Sequence, residues 1–281
     1  MQHIYTTNEI LKDLNDHIIK QEPWSLVRLG DAGTGIVSAF KTSGIVDVGK
    51  WHGSRGRKKA NTLLGQLTVP TRDREKVVDL VVRSMSESNY LDHYDSFTNH
   101  PAKKGVGILG RKQDEILEAS GVDNGENFCS PFVHYFSIVK GEYNLFNIMR
   151  NRRIFCITNQ TGVILRLQNA SKAKVIHSYR IPRRGRKAGH YRDHFKKISN
   201  LIKARAKKYD LFLVGAGFLA VAYCGMIKEN GGRAFDCGRL FDFWGGVRKI
   251  DSRPKRFIEY DPKTMLCKRL KKKNGIKADI W

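Results

Sequence analysis

The stretch Asp210–Ala220, DLFLVGAGFLA, decides how the fold reads. Leu211 to Val214 are apolar, Gly215-x-Gly217-x-x-Ala220 follows at once, and an uncharged segment continues to Ile227. A short apolar run ended by glycines predicts a buried strand turning tightly into a helix. Arg233 to Asp236 supplies the next strand, so the segment is a parallel crossover unit. The run from Leu211 to Ile227 is almost long enough to span a bilayer, but its glycines and charged flanks fit a buried strand, turn and helix better.

The same alternation continues upstream. Trp24 to Leu29 predicts a strand, Gly30-Asp31 a tight turn, and Ile36 to Phe40 a helix. Thr6-x-x-Glu9 is a capping box ahead of Ile10, Leu14 and Ile18 at helical spacing. Val77, Val78, Val81 and Met85 mark an amphipathic helix. Val106 to Leu109 predicts a strand, with a helix after it that Gly121 terminates. Ile154 to Thr158 and Val175 to Tyr179 are further strands, with a helix over Gly162 to Leu167 between them. Tyr191, Phe195, Ile198 and Ile202 give a long helix with a basic outer face. Strands alternating with helices imply an α/β, Rossmann-like, mostly parallel sheet covered on both faces. Residues 1–262 are expected to form one α/β domain and 263–281 a basic tail containing Lys271, Lys272 and Lys273.

Charge is the distinctive feature of the composition. Lys and Arg number 51 against 27 Asp and Glu, a formal net charge of +24. Such an imbalance repels itself in a compact chain and points to a polyanionic partner: nucleic acid, an anionic membrane surface or phosphorylated substrates. The five cysteines are widely spaced with no Cys-x-x-Cys pair, which argues against a zinc site or disulfide framework and suits a reduced, cytoplasmic setting. The N-terminal MQHIYTTNEILKDLNDH is too polar for a signal peptide.

Three constellations can carry chemistry. In Arg28-Leu29-Gly30-Asp31-Ala32-Gly33, a carboxylate just beyond a strand can hold a divalent metal against a diphosphate, while the Arg and free backbone N–H groups take the remaining charge. Equally, Asp31 can simply cap the next helix. Gly215-x-Gly217-x-x-Ala220, with Asp236 about 20 residues on, satisfies the dinucleotide fingerprint. Only about 70 residues follow Asp210, too few for the two halves that this fingerprint normally opens. The third, Asp236-Cys237-Gly238-Arg239-Leu240-Phe241-Asp242-Phe243-Trp244-Gly245-Gly246, mixes carboxylates, Arg and aromatic rings after a strand. It can stack a base or sugar ring and present a general base.

Taken in order, strand-R-x-G-D-x-G near the start and L-V-x-A-G-x-x-A with A-x-D-x-G-x-x-x-D near the end resemble the GT-D fold glycosyltransferases, from about Ser25 to Trp244. The resemblance implies transfer of a sugar from a nucleoside diphosphate, such as a UDP-sugar, to an acceptor hydroxyl. In that family an Asp-x-Glu after the first strand serves the diphosphate and its Mn²⁺ or Mg²⁺. Asp31 matches the Asp, but Gly33 stands where the Glu is expected, so Asp236 or Asp242 would complete the site or basic groups would replace the metal. The implied roles are Arg28, Gly30 and Asp31 for diphosphate and metal, Gly215 and Gly217 for close backbone approach to the donor, and Asp242 for the acceptor base with Asp236 as its alternative.

The basic residues cluster. Arg55, Arg57, Lys58 and Lys59 form one group, and Arg183, Arg184, Arg186 and Lys187 another. Lys196, Lys197, Lys203, Arg205, Lys207 and Lys208 continue from the second group, and between Arg180 and Lys208 only Asp193 is acidic. Such a stripe is the electrostatic footprint of phosphate-backbone binding. On a transferase it points to a DNA acceptor, as in viral enzymes that glycosylate hydroxymethylated pyrimidines. Synthesis of surface glycans beside an anionic membrane remains an alternative from the same charge, as does a non-catalytic nucleic-acid-binding module. The glycine fingerprint leaves an oxidoreductase or methyltransferase open.

Overall fold

The computed structural model describes residues 4–42, 53–92, 113–122, 127–130, 132–182, 189–246 and 258–269. The expected strand over Val106 to Leu109 lies outside them. So do Lys271, Lys272 and Lys273 of the expected tail.

The strands are β1 (Ile4–Tyr5), β2 (Trp24–Val27), β3 (Tyr90–Asp92), β4 (Phe128–Cys129), β5 (Arg153–Thr158), β6 (Val175–Arg180), β7 (Leu211–Gly215) and β8 (Arg233–Asp236). They form an eight-stranded sheet in the order β1-β4-β3-β2-β8-β7-β5-β6. Every neighbouring pair is parallel. A parallel sheet needs crossover helices, and its central strands are buried on both faces. This is why β2 and β8 are buried at every residue, Arg233 and Asp236 at the ends of β8 included.

The helices are α1 (Thr7–Lys20), α2 (Gly30–Lys41), α3 (Gly53–Gln66), α4 (Arg74–Ser86), α5 (Gln113–Ala119), α6 (Val133–Phe136), α7 (Leu145–Met149), α8 (Ile164–Ser171), α9 (Lys196–Arg205), α10 (Phe218–Glu229) and α11 (Leu240–Trp244). They divide between two apolar cores. One gathers residues of α2, α3, α4, α5, α9 and α10, including Val37, Leu64, Val81 and Leu219. The other gathers α1, α6, α7, α8 and α11, including Leu14, Leu167 and Phe241. Helices therefore cover both faces, as the strand–helix alternation predicts. Local signals hold too: Thr6 and Glu9 form the expected capping box on α1, and Gly121 takes φ +71° just beyond α5. Residues 211–227 divide into β7 and α10. Among the described residues no helix is long and apolar enough to cross a membrane.

Two expectations change. The turn expected at Gly30-Asp31 is absent, because α2 begins at Gly30 and Asp31 sits in its first turn. Residue 262, expected to end the α/β domain, lies in the turn of an antiparallel hairpin, β9 (Ile258–Asp261) and β10 (Leu266–Arg269). Cys267 ties this hairpin to the body: its N–H donates to the Ile138 carbonyl at 2.8 Å, and its carbonyl accepts from Lys140 at 2.9 Å.

The connection leaving β7 runs toward β8, whereas the one leaving β5 runs toward β6 on the other side. These adjacent strands thus form the topological switch point, where open α/β sheets bind ligands beyond the carboxyl ends of their strands.

Candidate active site at the carboxyl edge of the sheet

Four strand ends bring charged groups together. Asp236, the last residue of β8, is only 2% exposed. Its Oδ2 accepts the Arg28 N–H at 3.2 Å, and its Oδ1 accepts the Gly238 N–H at 2.8 Å. Burial pushes its pKa up to about 7. The Arg28 charge and the two N–H groups pull it down, while nearby Asp92 adds to the upward push. A carboxyl group balanced this way is partly ionised at neutral pH. Its oxygens are committed to the backbone, so it suits holding the β2 and β8 ends together better than meeting a ribose. The dinucleotide reading loses its acidic partner on that ground.

Asp92, at the end of β3, is fully buried and occupies the start of α2. Its Oδ1 accepts the Leu29 N–H at 2.7 Å and its Oδ2 the Gly30 N–H at 3.3 Å. A carboxylate here meets the unpaired N–H groups and the positive end of the helix dipole. The free backbone donors expected for a diphosphate at Gly30 are therefore already engaged, and Asp31 does not act as the N-cap, which is Leu29. Gly33 faces the core: a Cβ there would lie 2.9 Å from Leu29 Cδ1 and 3.5 Å from Phe218 Cδ2. A Glu side chain at that position would start into packed side chains. The Asp31 side chain lies outside the described part. Among the described residues no three His, Cys, Asp or Glu side chains converge as a metal site requires. The carboxylates of Asp92 and Asp236 are tied to backbone N–H groups.

Asp242 stands in the first turn of α11, half-buried, and its Oδ1 accepts from Gln160 Nε2 at 3.0 Å. Gln160 follows β5, so this pair bridges to the switch point. Beside it, Gly215 admits the ring of Phe241; a Cβ at 215 would lie 2.6 Å from Phe241 Cδ2. The close approach that Gly215 permits is thus taken by Phe241 rather than left open for a donor. Gly217 is exposed and adopts φ +61°, ψ −137° as it opens α10, a conformation that only glycine adopts readily.

His134, in α6, has no counterpart in the sequence reading. It is 2% exposed, and among the described residues neither ring nitrogen has a hydrogen-bond partner. Burial, then the charges of Arg28 and Arg239, hold its pKa well below the usual histidine range. Its Cδ2 lies 3.6 Å from where a Gly238 Cβ would stand, a point that overlaps Arg28 Nη1. Gly238 itself has φ +50°. The run Phe132-Val133-His134-Tyr135-Phe136 reads as core, and nothing in its spacing marks the histidine.

The basic residues sit elsewhere. Arg55 and Lys58 are exposed on α3. Arg57 is half-buried over the Phe40 ring, bonded to the Ala39 carbonyl at 3.2 Å and to Glu75 at 3.0 Å. That makes it a packing residue as much as a contact for a phosphate. Lys59 is half-buried. A groove of about 720 Å³ beside them is lined by Ser54, Arg57, Lys58, Asn61 and Arg74, none of them at the strand ends. Arg183, Arg184, Arg186 and Lys187 lie outside the described residues. Lys196, Lys197, Lys203, Arg205, Lys207 and Lys208 are all exposed along α9 and its short continuation. Because α9 returns toward the start of β7, its last cations approach the sheet edge opposite Asp236.

Two solved structures share this fold. One is described as a selenomethionine-substituted structure of domain of unknown function 1792, with TM-score 0.52 and 15% identity, over 87% of this chain and 82% of that one. The other is described as showing that the highly conserved domain of unknown function 1792 has a distinct glycosyltransferase fold, with TM-score 0.50 and 16% identity over the same shares. The chain therefore has a glycosyltransferase-type α/β fold. No family model and no curated protein matches the sequence.

Proposed function

We propose that the chain is a glycosyltransferase that moves a sugar from a nucleoside diphosphate, a UDP-sugar, to the hydroxyl of a hydroxymethylated pyrimidine in DNA. One observation carries the reading: Asp236 holds the Arg28 backbone, and Asp242 pairs with Gln160, at the carboxyl edge of a sheet whose fold is shared with a structure described as having a distinct glycosyltransferase fold. Asp242 takes the acceptor proton, and the acceptor oxygen bonds to the anomeric carbon. The bond from that carbon to the phosphate oxygen breaks, and its electron pair leaves with the nucleoside diphosphate. Arg28 meets the developing charge, with the exposed turn at Gly217 and the start of α10 beside it. Asp236 keeps Arg28 in place through its backbone. Asp31 remains the assigned contact for a divalent ion, and no step above passes through one.

The DNA acceptor is supported by the net charge of +24 and by the exposed cations of α9. A small neutral acceptor has no use for such a face, whereas a phosphate backbone does. A cytoplasmic setting fits the five cysteines, all buried and free.

The test is a transfer assay with a panel of UDP-sugars, with and without Mn²⁺ or Mg²⁺, on DNA containing 5-hydroxymethylcytosine or cytosine, read by nucleoside mass spectrometry. A hexose added only to the modified base supports the whole reading. Release of UDP without a DNA product keeps the transferase and moves the acceptor to a glycan or protein. With neither product, the reading falls in favour of a non-catalytic nucleic-acid-binding module.

A further inference from the structure

We propose that the groove beside α3 is a phosphodiester-binding site and that it runs on into the cations of α9 as one track for a nucleic-acid backbone. This deepens the proposed function: it rests on that reading's nucleic-acid partner and not on its sugar transfer.

The groove, about 720 Å³ in volume, is lined by Lys58, Asn61, Gly65 and Gln66 of α3 and by Arg74 at the start of α4. Among the described residues no carboxylate lines it. Lys58 is exposed. Arg74 is half-buried and held from two sides: its Nη1 donates to Asn61 Oδ1 at 2.9 Å and its Nε to the Val69 carbonyl at 3.4 Å. Both acceptors are neutral, so they aim the guanidinium without cancelling its charge. Asn61 accepts with its oxygen, which leaves its N–H groups to donate. Gly65 keeps the floor open: a Cβ there would stand 3.6 Å from Arg74 Nη2. Arg57 also lines the groove but contributes less, because Glu75 already pairs with it at 3.0 Å. A guanidinium, an ammonium and amide donors around one groove are the groups that hold phosphate oxygens.

A small anion would need this groove alone. Its Gln66 end, however, meets the π-helical turn His190–Phe195 that leads into α9. The Tyr191 N–H donates to the Leu67 carbonyl at 2.9 Å, and the Arg192 N–H to Thr68 Oγ1 at 3.3 Å. Both α3 and α9 pack into the same apolar core, through Leu64 and through Ile198 and Ile202. Lys196 and Lys197 come next along the chain, and Lys203 and Arg205 continue the row, all exposed. Two carboxylates stand near the junction: Asp193 is bound by Arg192 at 2.8 and 3.0 Å, and Asp73 is half-buried. Cations from two distant parts of the chain thus share one face, which a polyanion can follow and a single phosphate cannot.

The test is binding of a fluorescent DNA duplex of random sequence to the full chain across a salt series, read by anisotropy. Replacing both Lys58 and Arg74 with Gln is expected to reduce the steepness of log affinity against log salt by about 2. Gly65→Glu sets a carboxylate beside Arg74 at an exposed helix position, and is expected to weaken binding about tenfold at low salt. Lys20→Gln, on α1 behind the other core, is expected to leave the slope unchanged. Should the double variant not fold, Gly65→Glu and Lys58→Gln alone decide, the latter with a change in steepness of about 1. An unchanged slope in the folded groove variants, an equal loss in Lys20→Gln, or no DNA binding by wild type overturns the proposal. So does groove-dependent binding of inorganic phosphate, or of phosphatidylserine vesicles, with DNA affinity unmoved. Groove-dependent DNA binding without sugar transfer keeps the track and removes the transferase. Sugar transfer to DNA, with the slope unmoved by the groove variants, keeps the transferase and removes the track.

Discussion

The Leu29 N–H donates to Asp92 Oδ1 at 2.7 Å, across 63 residues of sequence, and this bond fixes where α2 begins. A helix whose own preceding residue is a leucine has no local cap, so a carboxylate from the neighbouring strand end supplies it.

Removing that carboxylate leaves two buried or half-buried N–H groups without an acceptor. Asp92→Ala is expected to cost about 2–4 kcal/mol and Asp92→Asn less, because the amide oxygen can still accept one bond. Urea unfolding of the two variants against wild type measures both values.

Asp236 makes stability depend on pH. Its folded pKa of about 7 stands above the ordinary 3.8, so the folded state holds a proton that the unfolded chain releases. The contribution is fully present below pH 4 and is lost as pH rises toward 7, by a few kcal/mol in order of magnitude. Unfolding free energies of Asp236→Asn should lack this decline, so the variant gains on wild type between pH 4 and pH 8. Parallel curves for the two proteins would show that the carboxyl group titrates normally.

Asp242→Asn should lower kcat for sugar transfer by about a hundred- to ten-thousand-fold while leaving UDP affinity unchanged, since the amide keeps the bond from Gln160 but cannot take a proton. Equal losses in kcat and UDP binding would make Asp242 a donor contact instead of the base.

At Gly215 a methyl group would drive into Phe241. Gly215→Ala is expected to cost about 1–3 kcal/mol and to lower kcat by displacing the ring next to Asp242. Thermal unfolding and a steady-state assay on the same preparation separate the two effects.

Replacing Lys196, Lys197, Lys203 and Arg205 with Gln should flatten the dependence of log DNA affinity on log salt by about 3 to 4 if each touches a phosphate. Their exposure predicts little change in unfolding temperature. An unaltered slope would move the DNA path off α9.

The fold was legible where the strands are long. Ile154 to Thr158 and Leu211 to Val214 stand out because they are apolar runs, and Arg233 to Asp236 because it follows Gly231-Gly232 and precedes Gly238; each lies within the strand it predicts. Tyr90–Asp92 and Phe128–Cys129 carry too few residues to show a period, so the part of the sheet beyond β2 went unread. The site divides in the same way. Asp236 was visible because it ends a readable strand, whereas Asp92 ends an unreadable one. His134 was hidden for another reason: its neighbours are all apolar or aromatic, and only the packed structure shows that its nitrogens meet no hydrogen-bond partner among the described residues. Gly30 was read from its local sequence, which cannot reveal that a distant carboxylate has already taken its N–H.

The bond from Arg28 to Asp236 joins residues 208 positions apart. On the ribosome, at about 5–20 residues per second, β2 waits on the order of ten to forty seconds for the strand that completes it. A nascent chain stopped before β8 has an exposed central edge and an Arg without its carboxylate. The cluster at the carboxyl edge is thus among the last parts of the molecule to form, and a product truncated before β8 carries an unclosed sheet.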